Sequence, residues 1–135
     1  MKSEKKEIIK DVVPTKTEMD VLQLLWQNGP STVRFIHDKL NEQKNAVIYT
    51  STLKLMQVMK EKGMLDRDET NMKHVYNAVF REDQVKGNLL GRFVDSMFEG
   101  SASNLMVALL GTDKTSDDEL EKMRELLEKM KKNKE

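Results

Sequence analysis

Three apolar stripes of helical spacing, then one stretch of strand spacing, follow in that order between Thr15 and Phe80. That order constrains the chain more than its composition does. Thr15-Lys16-Thr17-Glu18 has the form of a capping box: the Thr15 hydroxyl accepts from the Glu18 amide while the carboxylate reaches back. The first helix then carries Met19, Leu22, Leu25 and Trp26 on one face and stops at Asn28-Gly29-Pro30. Ser31-Thr32 caps a second helix, with Val33, Ile36 and Leu40 facing inward. After a short loop around Asn45 a third helix begins near Thr50 and buries Thr52, Leu55, Met56 and Met59. It ends where Gly63 supplies a left-handed residue. From Met64 to Phe80 apolar and polar residues alternate around Glu69-Thr70-Asn71. This predicts a two-stranded hairpin with Val75, Asn77 and Val79 on one face and Tyr76 and Ala78 on the other.

No strand signal returns after Arg81. A fourth helix, from about Glu82 to Glu99, has Leu89, Phe93 and Met97 on its stripe and is closed by Gly100. A short fifth helix carries Leu105, Met106, Leu109 and Leu110 and stops at Gly111. Ser116-Asp117-Asp118-Glu119 makes a second capping box, and the sixth helix sets Leu120, Met123, Leu127 and Met130 on a narrow seam. The fold class expected is mainly α: an N-terminal winged helix-turn-helix of three helices plus a two-stranded wing, then a three-helix dimerisation region. The divisions expected are a flexible arm over 1–14, a winged-helix DNA-binding domain over 15–80 and a helical dimerisation domain over 81–135.

Three short helices make a poor closed core by themselves, so the last three are expected to meet a second copy. The residues expected there are Leu89, Phe93, Met97, Leu105, Leu109, Leu120, Met123 and Leu127. Gly87 and Gly91 share a face of the fourth helix, where each costs about 1 kcal/mol relative to Ala. Close approach of another backbone would account for that cost.

In a winged helix the third helix enters a major groove and the hairpin touches the neighbouring backbone. Opposite the apolar stripe of the third helix lie Thr50, Ser51, Lys54, Gln57 and Lys60-Glu61, so hydroxyls and open N–H groups in the first turn precede a cation one turn on. Charge divides the same way. The chain holds 23 Lys plus Arg against 23 Asp plus Glu, which excludes a protein that coats polyanions indiscriminately. From Arg34 to Lys62, however, six cations, Lys44 among them, face three anions. Residues 1–80 carry a surplus of +2 and residues 81–135 one of −2.

No cysteine is present, so a disulfide scaffold, a thiolate metal site and a cysteine nucleophile are excluded. His37 is expected on the solvated side of the second helix. His74, beside Lys73 in the hairpin, offers a candidate phosphate contact. Two histidines without cysteine make no zinc set, and no catalytic motif is present, so neither a metal, a cofactor, a small-molecule substrate nor an enzymatic activity is expected. The ten methionines fall largely on the helical stripes and read as core filler. No apolar run is long enough to span a membrane, and the start MKSEKKEIIKDVV lacks the apolar core of a signal peptide, which favours the cytoplasm.

The residues Thr17-Glu18-Met19-Asp20-Val21-Leu22-Gln23-Leu24-Leu25-Trp26 and Gly29-Pro30-Ser31-Thr32-Val33-Arg34 resemble the opening of the penicillinase-repressor family. Tyr49-Thr50-Ser51-Thr52-Leu53 with Glu61-Lys62-Gly63 resembles that family's recognition helix, and His74-Val75-Tyr76 its second wing strand. Phe98-Glu99-Gly100-Ser101, Leu105 to Leu110 and Ser116 to Leu127 are similar to its dimerisation region. The resemblance implies a homodimeric repressor of palindromic operators, in double-stranded DNA upstream of antibiotic-resistance or stress genes. It implies contacts to bases or phosphates from Thr50, Ser51 and Lys54, supported by Tyr49 and Thr32, with Lys73 added from the hairpin. It also implies release by cleavage in the dimerisation region through a membrane sensor metallopeptidase. Members are cut at an Asn-Phe bond, and Ala108-Leu109 occupies that place here, with Asn104-Leu105 four residues earlier. A copper-responsive branch uses a C-terminal cysteine cluster, which this chain lacks. The alternative from another class is a protein-interaction adaptor, favoured by zero net charge and by the acidic Asp66, Asp68 and Glu69 of the hairpin.

Overall fold

The computed structural model of the chain describes residues 12–43, 47–70 and 72–134. Most of the arm expected over 1–14, the loop around Asn45, Lys44 and the turn residue Asn71 lie outside them. Helix α1 (Lys16–Asn28) starts where its capping box puts it: the Thr15 hydroxyl accepts from Glu18 N–H at 3.2 Å, and the Glu18 carboxylate accepts from Thr15 N–H at 2.9 Å. Its buried face is wider than the expected stripe. Val21 and Leu24 are buried with Leu22 and Leu25, and Met19 and Trp26 sit partly buried at the margins. The cause is tertiary, because α1 is contacted by α2 (Val33–Gln43), α3 (Tyr49–Glu61) and β3 (Val75–Ala78). Trp26 ties down the chain just after β3 by donating its indole N–H to the Phe80 carbonyl at 3.0 Å.

Ser31 and Thr32 have two roles. Thr32 Oγ1 accepts from Phe35 N–H at 3.2 Å, as expected of a cap. The pair also forms a short strand, β1 (Ser31–Thr32), antiparallel to β3 with Ser31 opposite Tyr76 and Thr32 opposite Val75. The expected two-stranded wing is thus part of a three-stranded sheet in the order β1-β3-β2, where β2 is Leu65–Asp68. Leu65 lies opposite Ala78 and Arg67 opposite Tyr76. Tyr76 is buried, so its face of β3 turns to the core and Asn77 to solvent.

Helix α3 ends in the left-handed turn that Gly63 predicts. With φ at 86°, Gly63 donates its N–H to the Lys60 carbonyl at 3.0 Å, and Met64 N–H donates to the Met59 carbonyl at 2.9 Å. Thr52, Met56 and Met59 are buried, whereas Leu55 is only half-buried. Leu22, Ile36, Met56, Met59, Leu65 and Tyr76 form the centre of one core. A charged residue reaches it: the Glu18 carboxylate, 3% exposed, takes the Lys62 ammonium at 2.9 Å and so joins the start of α1 to the end of α3.

The chain divides into two compact units, one ending at residue 89 and the other starting at residue 90, within helix α4 (Glu82–Met97). In the first unit Val85 is buried and Leu89 packs partly buried against the core. The second unit continues α4 and adds α5 (Ala102–Leu110) and α6 (Asp117–Lys134). Two successive left-handed residues, Glu99 at φ 52° and Gly100 at φ 78°, join α4 to α5. Ser101 and Ser116 cap α5 and α6 by accepting from the N–H groups of Asn104 and Glu119, each at 3.2 Å. Neither helix buries a residue. Phe93, Met97, Val107, Leu127 and Met130 remain 47–69% exposed, and Leu105, Met106 and Met123 are half-buried. Among the described residues no helix is long and apolar enough to cross a membrane.

Candidate nucleic-acid interface

Because the core holds α3 by Thr52, Met56 and Met59, its opposite face is free, and Thr50, Lys54, Gln57, Lys60 and Glu61 are all exposed there. The helix begins without a side-chain cap: Ile48 precedes it in an extended conformation and has no polar group to offer. Ser51 and Thr52 N–H donate to the Ile48 carbonyl at 3.0 and 3.3 Å, while the amides before them have no partner within the helix. Open N–H groups and the positive end of the helix dipole favour an anion at this point.

A groove of about 430 Å³ runs beside this face, between α3 and the sheet. Thr32, Tyr49 and Lys73 line it, so three of the six residues expected to contact DNA come together there. Thr50 and Lys54 stand on the outer face of α3 instead. Ser51 faces away, onto a pocket of about 170 Å³ shared with Thr17, Asp20, Leu40, Val47 and Leu55.

The same groove holds His74, the candidate phosphate contact beside Lys73, together with Arg34 and Arg67, whose place beside α3 the sequence did not reveal. The Arg34 guanidinium lies 4.2 Å from the centre of the Tyr49 ring, a cation–π stack that holds its charge at the groove wall. Arg67 donates to the Tyr76 hydroxyl at 3.3 Å and, from Nε, to Glu69 Oε1 at 2.7 Å. Alternation along β2 was the available signal for Arg67, since register places it opposite Tyr76. The Arg67 hydrogen bond and charge draw the Glu69 carboxyl below its ordinary range, and bonds from the Thr70 amide and hydroxyl do the same for Asp68. The wing tip therefore stays anionic, and one groove cation is already paired.

His37 corrects an expectation. It is buried rather than solvated, hydrogen-bonded through Nδ1 to Thr52 Oγ1 and through Nε2 to Asn41 Nδ2, each at 3.0 Å. Its ring stands nearly perpendicular to that of Tyr49, with centroids 5.4 Å apart. Among the described residues no cluster of three or more His, Cys, Asp or Glu side chains is arranged to hold a metal ion.

A sequence model of the family described as Penicillinase repressor matches residues 14–129. The methicillin resistance regulatory protein MecI of Staphylococcus aureus (strain N315) is 23% identical over 115 residues, covering 85% of this chain and 93% of that protein. MecI of Mammaliicoccus sciuri is 22% identical over the same coverage. Among solved structures, a MarR family protein from Bacillus stearothermophilus aligns with a TM-score of 0.49 at 19% identity, covering 98% of this chain and 83% of the other.

Proposed function

The chain belongs to the penicillinase repressor family and is a DNA-binding transcriptional regulator, and on that premise we propose that it represses transcription as a homodimer on pseudo-palindromic operator DNA. Two copies of α3 would enter successive major grooves, with the half-site spacing set by the dimer. The observation that carries this reading is the free polar face of α3, with Thr50 and Lys54 outermost, standing beside a groove that gathers Arg34, Arg67 and Lys73. In this reading Lys54 and Thr50 contact bases or phosphates, and Thr32, Tyr49 and Lys73 hold the backbone in the groove. Ser51, turned away from this face, is left without a DNA contact in this reading.

The winged unit over 15–80 would read DNA, and the helices over 81–135 would assemble the dimer. Exposed Phe93, Met97, Leu109, Leu120 and Leu127 support that assignment, because an apolar surface of this extent favours a partner. With them go Leu89, Leu105 and Met123, which are half-buried in the single chain. Loss of dimer integrity would release the operator. Ala108 and Leu109 are exposed on α5, and a cut there, through a membrane sensor metallopeptidase, would separate α6 from the reading unit. Such a repressor works in the cytoplasm and regulates antibiotic-resistance or related genes.

A gel-shift titration against the DNA upstream of its own gene tests the reading. Specific affinity is expected to fall steeply with salt, and Lys54→Ala should weaken it about ten-fold while leaving the dimer intact. Equal binding to random DNA would reject the repressor and favour the adaptor, for which the anionic wing tip is the supporting feature.

A further inference from the structure

His37 is a buried titratable side chain to which DNA contact assigns no role. We propose that His37, with its hydrogen on Nδ1, is the positioning residue of the DNA-reading helix, fixing the start of α3 so that Tyr49 presents Arg34 to the operator. The proposal rests on the DNA-binding reading of α3.

A chain of hydrogen bonds sets the tautomer. Val47 N–H donates to Asn41 Oδ1 at 3.0 Å, which orients the amide and leaves its NH₂ toward His37 Nε2, also at 3.0 Å. Nε2 must therefore accept, so Nδ1 carries the hydrogen and donates it to Thr52 Oγ1 at 3.0 Å. One imidazole on α2 thus holds the approach to α3 through Asn41 and Val47, and α3 itself through Thr52. Tyr49 stands against the same ring at 5.4 Å, and Arg34 stacks on Tyr49 at 4.2 Å. The groups facing His37 are Asn41 from its own helix and Tyr49 and Thr52 from α3, with Arg34 stacked on Tyr49. No carboxylate hydrogen-bonds to it among the described residues. An imidazolium would set Nε2–H against the Asn41 NH₂. Flipping the amide relieves that clash only by setting its NH₂ against Val47 N–H. Protonation breaks the chain in either orientation.

Two measurements on the full chain test this. Long-range ¹H–¹⁵N spectra at about pH 7 should show the His37 hydrogen on Nδ1 with Nε2 accepting; hydrogen on Nε2 overturns the proposal. Operator affinity is then compared at about pH 7 between the unaltered chain, His37→Asn and His37→Ala. His37→Asn, which keeps a donor for Thr52, should retain most of the operator affinity of the unaltered chain. His37→Ala should lose about ten-fold on operator and nothing on random DNA. A loss for His37→Asn as large as that for His37→Ala, or an equal loss on both DNAs, would sink the proposal. If His37→Ala does not fold, the spectra and the asparagine variant still decide. Absence of operator preference in the unaltered chain would instead remove the DNA-binding reading and leave the tautomer to be judged by the spectra.

Discussion

The capping carboxylate of Glu18 is the residue where sequence and tertiary structure meet most closely. Burial opposes its charge, but the Thr15 N–H, the Lys62 ammonium and the Thr15 hydroxyl outweigh that cost and hold its pKa below the ordinary 4.5. A carboxyl with a lowered folded pKa contributes stability at pH values above its unfolded pKa and loses it as pH falls through the folded one. Glu18→Gln should therefore destabilise the chain at about pH 7, and the gap in urea midpoint should close toward about pH 3. A gap constant with pH would show that the charge contributes nothing. The Thr15–Glu18 box was legible because its two residues are three apart in sequence; the Lys62 partner, 44 residues away, was not. His37 carried a legible signal that solvent-facing histidines usually obscure, for it lies on the stripe of Val33, Ile36 and Leu40. Arg34 and Arg67 became visible only when packing closed the groove around them.

Among elements, the helices were legible and the sheet only in part. Six stripes with caps and glycines at their ends predicted six helices, because local chemistry decides where a helix starts and stops. Two residues cannot display an alternating pattern, so β1 was hidden behind the capping role of Thr32. The junction of α4 and α5 gives an element-level prediction. Glu99 holds φ at 52°, a region that a long side chain occupies at a cost of about 1 kcal/mol and that Asn tolerates better. Glu99→Asn should stabilise the second unit by about 0.5 kcal/mol, seen as a higher urea midpoint at unchanged helicity. A lower midpoint would mean that the glutamate side chain makes a contribution its exposed position does not suggest.

At the scale of the whole molecule the zero net charge resolves into +2 over residues 1–80, proposed to read DNA, and −2 over residues 81–135, proposed to assemble the dimer. In that proposal a single reader so weakly cationic would neutralise few phosphates, and its hold on DNA would depend on a second reader linked to it. In the proposed dimer the apolar face of the second unit would supply the linkage. Phe93 is 47% exposed and Met97 64%, and a Cβ placed on Gly87 or Gly91 of the same helix would meet nothing within 4 Å in the single chain. In a lone helix both glycines would only lose stability against Ala, by about 1 kcal/mol each. Against a partner backbone they permit close approach. Phe93→Asp should thus convert a dimer to a monomer by sedimentation and weaken operator binding about a hundred-fold through lost effective concentration, with α3 untouched. The Gly87→Ala, Gly91→Ala pair separates the two roles of glycine. It should raise the thermal stability of the Phe93→Asp monomer yet weaken dimerisation of the otherwise unaltered chain. Stabilisation in both backgrounds with the dimer unchanged would place the partner's backbone away from this face.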